Sequence, residues 1–418
     1  MKLRALFTLL PALIFILPGT SLSAPLAEAQ YLELVLERNN ELAAIRKEIE
    51  ARLFSARAEL AVQRPTAGLS AEASKWLDKD RGDRQMDLSL SHRLNLSGSY
   101  GLQERDLLLA VEMLRTQYAD AVNERLALAA SAYRQAVMAA LYREAMERIV
   151  VQRNESLLVT KEKFDKEMVS LLELLRAQSQ VDDGETLLLQ ARRNYEQQLV
   201  EMSALAGGTR IDPNIVPPDP KGLELSVDAT KAWESRPDVA ALLLSKERAL
   251  VQRSLAAKGL SPFIDISVGV RVAQNFTSPF AEDRVGEVFV RAALTVPLAD
   301  GGKTANNTAA AGMMLRKVEY EIGSKRDSIQ REVDLVKERW SRALEIAAIR
   351  RRQAERTDKE LEIAELMYRE GLGSQLDLIG AQEAFQKSRS ELIAALQELW
   401  LILAEADRVM GRWVRRLE

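Results

Sequence analysis

Two stretches decide the fold when set side by side. Phe164-Asp-Lys-Glu-Met-Val-Ser-Leu-Leu-Glu-Leu-Leu-Arg-Ala-Gln178 and Tyr368-Arg-Glu-Gly-Leu-Gly-Ser-Gln-Leu-Asp-Leu-Ile-Gly-Ala-Gln382 align without a gap. Ser170 falls on Ser374, Leu172 on Leu376, Glu173 on Asp377 and Ala177-Gln178 on Ala381-Gln382, all at a numbering offset of 204. A second echo lies upstream: Leu94-Asn95-Leu96 followed by Gly98 resembles Val296-Pro297-Leu298 followed by Gly301-Gly302. Two features in the same order at nearly the same spacing make the chain a tandem repeat.

Boundaries follow from the repeat. Lys2 and Arg4 precede an apolar run, Ala5 to Leu17, that is too short to span a bilayer as a helix. Pro18-Gly19 and the small residues Ser21, Ser23 and Ala24 complete the pattern of a signal peptide over 1–23. Residues 24–208 form the first repeat, 209–225 a Pro-rich linker around Asp212-Pro-Asn-Ile-Val-Pro-Pro-Asp-Pro220, and 226–418 the second repeat. No later stretch reaches 18 uninterrupted apolar residues, so no transmembrane helix is expected in the mature chain.

Each half reads helix, strand pair, very long helix, tip, helix. The first has a helix over Leu26–Gln63, strands near Ala67–Leu77 and Met86–Leu96, a helix over Gly101–Lys163 and a helix over Leu171–Leu205. The second has Pro237–Lys258, strands near Phe263–Val272 and Glu287–Leu298, then helices over Lys303–Arg369 and Ser374–Trp413. Proline suits the first position of a helix, where its missing N–H has no intrahelical partner to lose. At 1.5 Å per residue, a helix of roughly 60 residues is about 90 Å long, too long for a compact domain of ordinary size.

Composition removes most chemistry. Among 418 residues there is no cysteine and a single histidine, His92. Disulfides, thiol nucleophiles, cysteine-ligated metals, a lipidated N-terminal cysteine and a multi-histidine site are excluded. The net charge is −3, or −5 once Lys2 and Arg4 leave with the signal peptide, so nothing draws the chain generally to nucleic acid. Aromatics at 5% against 47% hydrophobic residues fit long helices packed by small and aliphatic side chains. No cofactor and no metal site is expected, and no nucleophile–base constellation points to an enzyme.

The strands argue for a membrane. Ile264, Ile266, Val268, Val270 and Val272 alternate with Asp265, Ser267, Gly269, Arg271 and Ala273. Val288, Val290, Ala292, Leu294 and Val296 alternate with Phe289, Arg291, Ala293 and Thr295, and Met86, Leu88, Leu90, Leu94 and Leu96 with Asp87, Ser89, Ser91, Arg93 and Asn95. The first strand is weaker, with Leu69, Ala71, Ala73 and Leu77 opposite Ser70, Glu72, Ser74 and Asp78. Such alternation gives one oily and one wet face, over about the ten residues a tilted strand needs to cross a bilayer. A small soluble sheet with one face on a core has the same pattern. Four strands cannot close a barrel, and lipid does not tolerate open edges. If the strands span, several chains share one barrel; three would supply twelve strands.

Together these features resemble the TolC family of outer-membrane efflux and secretion channels. Tyr368, Gly371, Leu376, Asp377, Ala381 and Gln382 are similar to the family's helix-tip pattern, Val296-Pro-Leu-Ala-Asp-Gly-Gly302 to the end of its last strand, and Leu36-Glu-Arg-Asn-Asn-Glu-Leu-Ala-Ala44 to its N-terminal region. The resemblance covers essentially the whole mature chain. It implies a mostly α fold with a small β part: a long α-helical barrel of coiled coils, and four antiparallel strands per chain in a trimeric 12-stranded transmembrane β-barrel. It also implies a homotrimer in the outer membrane, reaching into the periplasm and docking to a periplasmic adaptor and an inner-membrane transporter. Two departures stand out. Many relatives carry a lipidated N-terminal cysteine, so here the strands alone would hold the membrane. Glu167 stands where the first repeat would have the tip glycine. The stretch Leu94-Asn-Leu-Ser-Gly-Ser-Tyr-Gly101 faintly resembles the heavy-metal efflux branch.

A conduit makes no bonds, so its sites are tips and constrictions. The docking candidates are Gly371, Leu372, Gly373 and Ser374, with repeat mates Met168, Val169 and Ser170. Tip glycines let the chain reverse tightly and let a partner's backbone approach. Asp377 matches a family position facing the closed pore mouth, with Glu173 its repeat mate. Three copies would form an acidic ring that favours cations, and their mutual repulsion would raise their pKa values. A plain helix cap is the competing role for Asp377. Gly302-Lys303-Thr304 lacks the earlier glycine of a phosphate loop, Pro297 standing there. Arg81-Gly82-Asp83 reads as a turn, and Arg350-Arg-Arg352 and Arg412 with Arg415-Arg416 as solvated helix faces. His92 falls on the oily face of its strand, near an interface rather than a metal. The leading function is the exit duct of a tripartite efflux pump. A protein-secretion duct shares the architecture, and a periplasmic coiled-coil adaptor would lack the four alternating strands.

Overall fold

The computed structural model describes residues 25–61, 63–76, 81–216, 224–276 and 282–415. The signal peptide expected over 1–23 and the centre of the linker expected over 209–225 therefore lie outside the described residues. In order, the elements are α1 (Glu28–Arg38), α2 (Asn40–Ala61), β1 (Thr66–Trp76), β2 (Arg81–Asn95), α3 (Ser99–Asp165), α4 (Leu171–Leu205), α5 (Ala229–Ser235), α6 (Pro237–Ala256), β3 (Phe263–Phe276), β4 (Glu282–Thr295), α7 (Lys303–Arg369), α8 (Gln375–Val409) and α9 (Arg412–Arg415). Helices α3 and α7 are 67 residues each, and α4 and α8 are 35 each. Equal lengths at corresponding places restate the repeat in structural form.

Several expected boundaries move, each for a local reason. The helix expected over Leu26–Gln63 is two helices. Asn39 interrupts it, because its side-chain Oδ1 accepts from the backbone N–H groups of Glu41 (3.1 Å) and Leu42 (3.2 Å) and so starts a new helix. The short α5 precedes Pro237, capped by the Asp228 carboxylate, which accepts from the N–H of Lys231 at 2.9 Å. The last helix expected to reach Trp413 ends at Val409, and α9 follows Gly411. Arg81-Gly82-Asp83 is no turn: these residues open β2, in register with Trp76, Lys75 and Ser74. Strand β4 ends at Thr295, short of the expected Leu298, where Pro297 has no N–H to give a ladder.

The four strands form one antiparallel sheet in the order β1-β2-β3-β4. Pairing of β2 with β3 joins the hairpins of the two repeats. The chain divides into two compact units that cut across the repeats, each drawing on both. One takes the described parts of Met1–Val35, Ala132–Pro218 and Arg356–Ile393, and carries both tips. The other takes the described parts of Leu36–Ser131, Asp219–Glu355 and Ala394–Glu418, and carries the sheet.

Within the sheet unit, Ile329, Val333, Val336 and Trp340 of α7 pack with Leu399, Ile402 and Val409 of α8 and with Ala232 and Val239. The spacings of three and four residues put these side chains on one face of each helix. A buried ion cluster lies at the start of α6: Arg236 donates to Asp238 at 3.0 and 2.7 Å and to Glu332 at 2.6 Å, and Lys325 pairs with Asp238 at 2.6 Å. Within the tip unit, Leu361, Tyr368, Leu378 and Ala381 form one buried group, and Met146, Ile149, Leu188 and Ala191 another.

Candidate functional site

The two tips have one backbone geometry. At the end of α3 the N–H of Met168 bonds the carbonyl of Lys163 and the N–H of Glu167 that of Phe164, both at 2.9 Å. At the end of α7 the N–H of Leu372 bonds Met367 at 2.8 Å and the N–H of Gly371 bonds Tyr368 at 3.2 Å. This six-to-one plus five-to-two pair is the Schellman ending, which needs a left-handed residue at the position after the cap. Gly371 supplies it with φ +76°, and Glu167 supplies the same turn with φ +58°. A non-glycine side chain crowds its own backbone there.

Each tip then starts the next helix with a reciprocal cap. Ser170 accepts from the N–H of Glu173 at 3.3 Å, while the Glu173 carboxylate accepts from the N–H of Ser170 at 2.8 Å. Ser374 accepts from the N–H of Asp377 at 3.2 Å, and the Asp377 carboxylate accepts from the N–H and hydroxyl of Ser374 at 3.2 and 2.6 Å. Both gate candidates are thus cap residues of α4 and α8. The Ser374 hydroxyl, and then its N–H, holds the exposed Asp377 carboxyl below the usual carboxylate range. Within one protomer this is the opposite sign to the rise expected from an acidic ring.

The structure brings the tips together. The Gln375 side-chain amide donates to the Glu173 carbonyl. The Lys163 ammonium donates to the Tyr368 carbonyl and stands 4.3 Å from the centre of its ring. The Tyr368 hydroxyl meets Thr160 Oγ1 at 2.9 Å, in a buried contact, and burial pushes its phenol pKa up. Gln382 donates to Ser156 at 2.8 Å. Sequence reasoning named Tyr368 and Gln382 as pattern residues and missed Thr160, Lys163 and Gln375; the first two were hidden as ordinary polar positions in a long helix. Outside these ties the tips are apolar. Met168 is 66% exposed and Leu372 77%, and Leu171, Leu172 and Leu376 are exposed as well. Val169 and Gly373 are half-buried, whereas Gly371 and Ser374 are exposed.

The sheet separates its two faces by charge. Leu88, Leu90, Val268, Val270, Val288, Val290 and Leu294 lie exposed on one side. On the other, Arg93 donates to Asp265 at 2.7 and 3.1 Å, and Arg271 to Asp87 at 2.9 Å. Both pairs sit directly opposite each other in the β2–β3 register. His92 shares the face of Leu90 and Leu94, and its Nδ1 is buried without a hydrogen-bond partner. Arg412 is not on a solvated face as expected: it bonds Asp407 at 3.2 Å and the Ser226 carbonyl. Among the described residues no group of three or more His, Cys, Asp and Glu side chains is placed to hold a metal ion, and no helix is long and apolar enough to cross a membrane.

Residues 229–412 match the family model of the outer membrane efflux proteins. That stretch lies in the second half of the chain and spans α5 to the start of α9. Solved structures extend the likeness over the fold as a whole. The channel-forming protein CusC superposes with a TM-score of 0.80 at 13% identity, over 92% of this chain and 92% of its own. A membrane protein from Pseudomonas aeruginosa gives 0.77 at 17% identity, over 92% and 90%. The open MtrE outer membrane channel of Neisseria gonorrhoeae gives 0.76 at 17% identity, over 92% and 88%. No curated protein matches the sequence. The chain thus has the mostly helical fold with a small antiparallel sheet of these channels.

Proposed function

We propose that this protein is an outer membrane efflux channel that works as a homotrimer, as the exit duct of a tripartite pump, and that it performs no bond chemistry of its own. Three copies of the four-stranded sheet would close a 12-stranded barrel, with the oily face toward lipid and the Arg–Asp face toward the lumen. A periplasmic adaptor, bound in turn to an inner-membrane transporter, would seat on Gly371, Leu372, Gly373 and Ser374 and on Met168, Val169 and Ser170. The observation that carries this is the pairing of the tips: two turns of one geometry, tied side by side, each presenting an exposed apolar residue, Met168 and Leu372. Exposed apolar patches held on rigid turns mark protein contacts. Leu372→Ser should cut efflux at least tenfold while trimers still reach the outer membrane. Unchanged efflux from intact trimers would overturn the docking assignment.

The gate part of the proposal is separate. Asp377 and Glu173, one from each repeat, would ring the closed mouth with carboxylates and favour cations. Single-channel recording tests it: Asp377→Ala should raise conductance and weaken cation preference. If both stay unchanged, Asp377 is a helix cap and no more.

A further inference from the structure

On the wet face of the sheet, Arg93, Arg271 and Arg291 differ in their surroundings. Arg93 and Arg271 each face an acid across the β2–β3 register, Asp265 and Asp87, and each is hydrogen-bonded to it. Arg291 on β4 faces Ser267 instead. Among the described residues no carboxylate lies within ion-pair distance of Arg291, and Asp87, already bound to Arg271 and Gln85, reaches it only through space. Its guanidinium instead stands 5.9 Å from the ring centre of Phe289.

Phe289 is itself out of place, a large apolar side chain on the wet face of an otherwise alternating strand. Its register partner is Gly269. A Cβ on Gly269 would come within 2.9 Å of the ring and 2.5 Å of the Leu88 carbonyl, so only glycine leaves room for the ring to lie across β3. Arg271 flanks the same ring at 5.5 Å. The ring is half-buried and Arg291 exposed, so both remain open to the space beyond the sheet. The arrangement is a flat apolar plate beside one guanidinium with spare donors. Guanidinium groups bind carboxylates and sulfonates through paired N–H donors, and aromatic rings stack on one another in offset geometry.

We infer that Phe289 and Arg291 form a binding spot for planar aromatic anions on the wall of the channel. The anionic group bonds Arg291, and the ring of the ligand stacks against Phe289. The spot lies within one protomer; its access to passing cargo rests on reading the wet face as the lumen. A trimer would then carry three copies. Closing a barrel would set the free edge of β4 against β1 of a neighbouring copy, whose wet face carries Glu72, and that carboxylate could take the guanidinium instead.

The test uses the full-length protein in detergent, with benzenesulfonate as the probe, methanesulfonate as the non-aromatic control and ligand-observed NMR as the readout. Benzenesulfonate stays charged at all working pH values. It should bind, with Arg291→Gln and Phe289→Leu each raising Kd at least tenfold and Glu72→Gln leaving it unchanged. Methanesulfonate should bind at least tenfold more weakly. Equal binding by Arg291→Gln, equal affinity for methanesulfonate, or binding seen only in Glu72→Gln would each overturn the proposal, as would no binding by the wild type. Arg291 and Phe289 are on the sheet surface, and outer-membrane assembly of the variants checks their folding. The same probe added to single channels separates the two ideas. Conductance without binding sinks the spot alone, whereas binding without conductance sinks the duct reading and leaves the spot.

Discussion

Glu167→Gly should tighten the first tip. Glu167 occupies a left-handed backbone position, φ +58°, that its repeat mate Gly371 fills at φ +76°. Holding a side chain there costs about 1–2 kcal/mol. Glycine removes that cost but adds flexibility to the unfolded chain, worth about 0.4–1 kcal/mol in the other direction. The net gain is about 0.5–1 kcal/mol. Glu167 is exposed, so little packing is lost. The gain should appear in local opening of the tip, where the N–H groups of Glu167 and Met168 bond the carbonyls of Phe164 and Lys163. Hydrogen exchange reads that opening directly. Exchange at positions 167 and 168 should slow about two- to fivefold, since 1.4 kcal/mol is tenfold. The reverse change, Gly371→Ala, should speed exchange at 371 and 372. If Glu167→Gly exchanges as fast as the wild type while Gly371→Ala is harmless, the two tips do not share a strained turn and the repeat argument at this site fails.

Two further outcomes follow from the buried polar contacts. Burial alone would raise the Asp238 carboxyl, but bonds from Arg236 and Lys325 outweigh it and bring its pKa from 3.8 down to about 2; a depressed carboxylate adds stability above the unfolded pKa, so about 2 kcal/mol should be present above pH ~4 and lost as pH falls toward ~2. Thermal unfolding in detergent checks this as a gap between wild type and Asp238→Asn that closes over that range; Asp120, whose carboxyl is pushed up by burial and then by the Asp238 charge, is partly relieved in the variant, which adds to the change the assay reads. Tyr368→Phe removes the hydroxyl that meets Thr160, leaves Thr160 with its other bond to the Ser156 carbonyl, and should cost about 1 kcal/mol in the same assay.

How much of this was legible in the sequence depends on whether a feature is carried by the backbone or by a side-chain pair. The places of the two tip turns were legible, though not the helix ends beside them or the ties of Thr160, Lys163 and Gln375, because a turn of fixed geometry demands particular residue types at particular offsets. Strand alternation was legible because a sheet with two different solvents needs it. The break at Asn39 was not: asparagine inside a helical pattern looks like an exposed helix position until its side chain is seen bonding the N–H groups of Glu41 and Leu42. The Arg291 environment was hidden for the opposite reason. Alternation placed the residue on the wet face, but whether an acid faced it depended on strand register, which the sequence pattern left open.

The offset of 204 makes the same point from within the fold. It sets Arg153 against Thr357 and Gly184 against Ser388. In the second repeat Thr357 and Ser388 share a buried hydroxyl–hydroxyl contact at 2.5 Å. In the first, Arg153 is buried beside Gly184, where a Cβ would lie 3.2 Å from its Cδ. Its guanidinium donates to the Gln180 carbonyl at 2.8 Å and to Gln386 of α8 at 2.7 Å. A large residue over a glycine and two small hydroxyls solve the same packing problem, since an interior at close-packed density accepts either pair but not a mixture. Position by position these sites look unrelated, and a repeat search passes over them. As pairs they correspond, and they differ in consequence. The hydroxyl pair closes within its own repeat, whereas Arg153 reaches across to the other. At this pair of positions the tie between the halves comes from the first repeat alone, whereas nearer the tips Gln375 and Gln382 reach back from the second, so one backbone plan carries ties donated from both sides at positions that do not correspond.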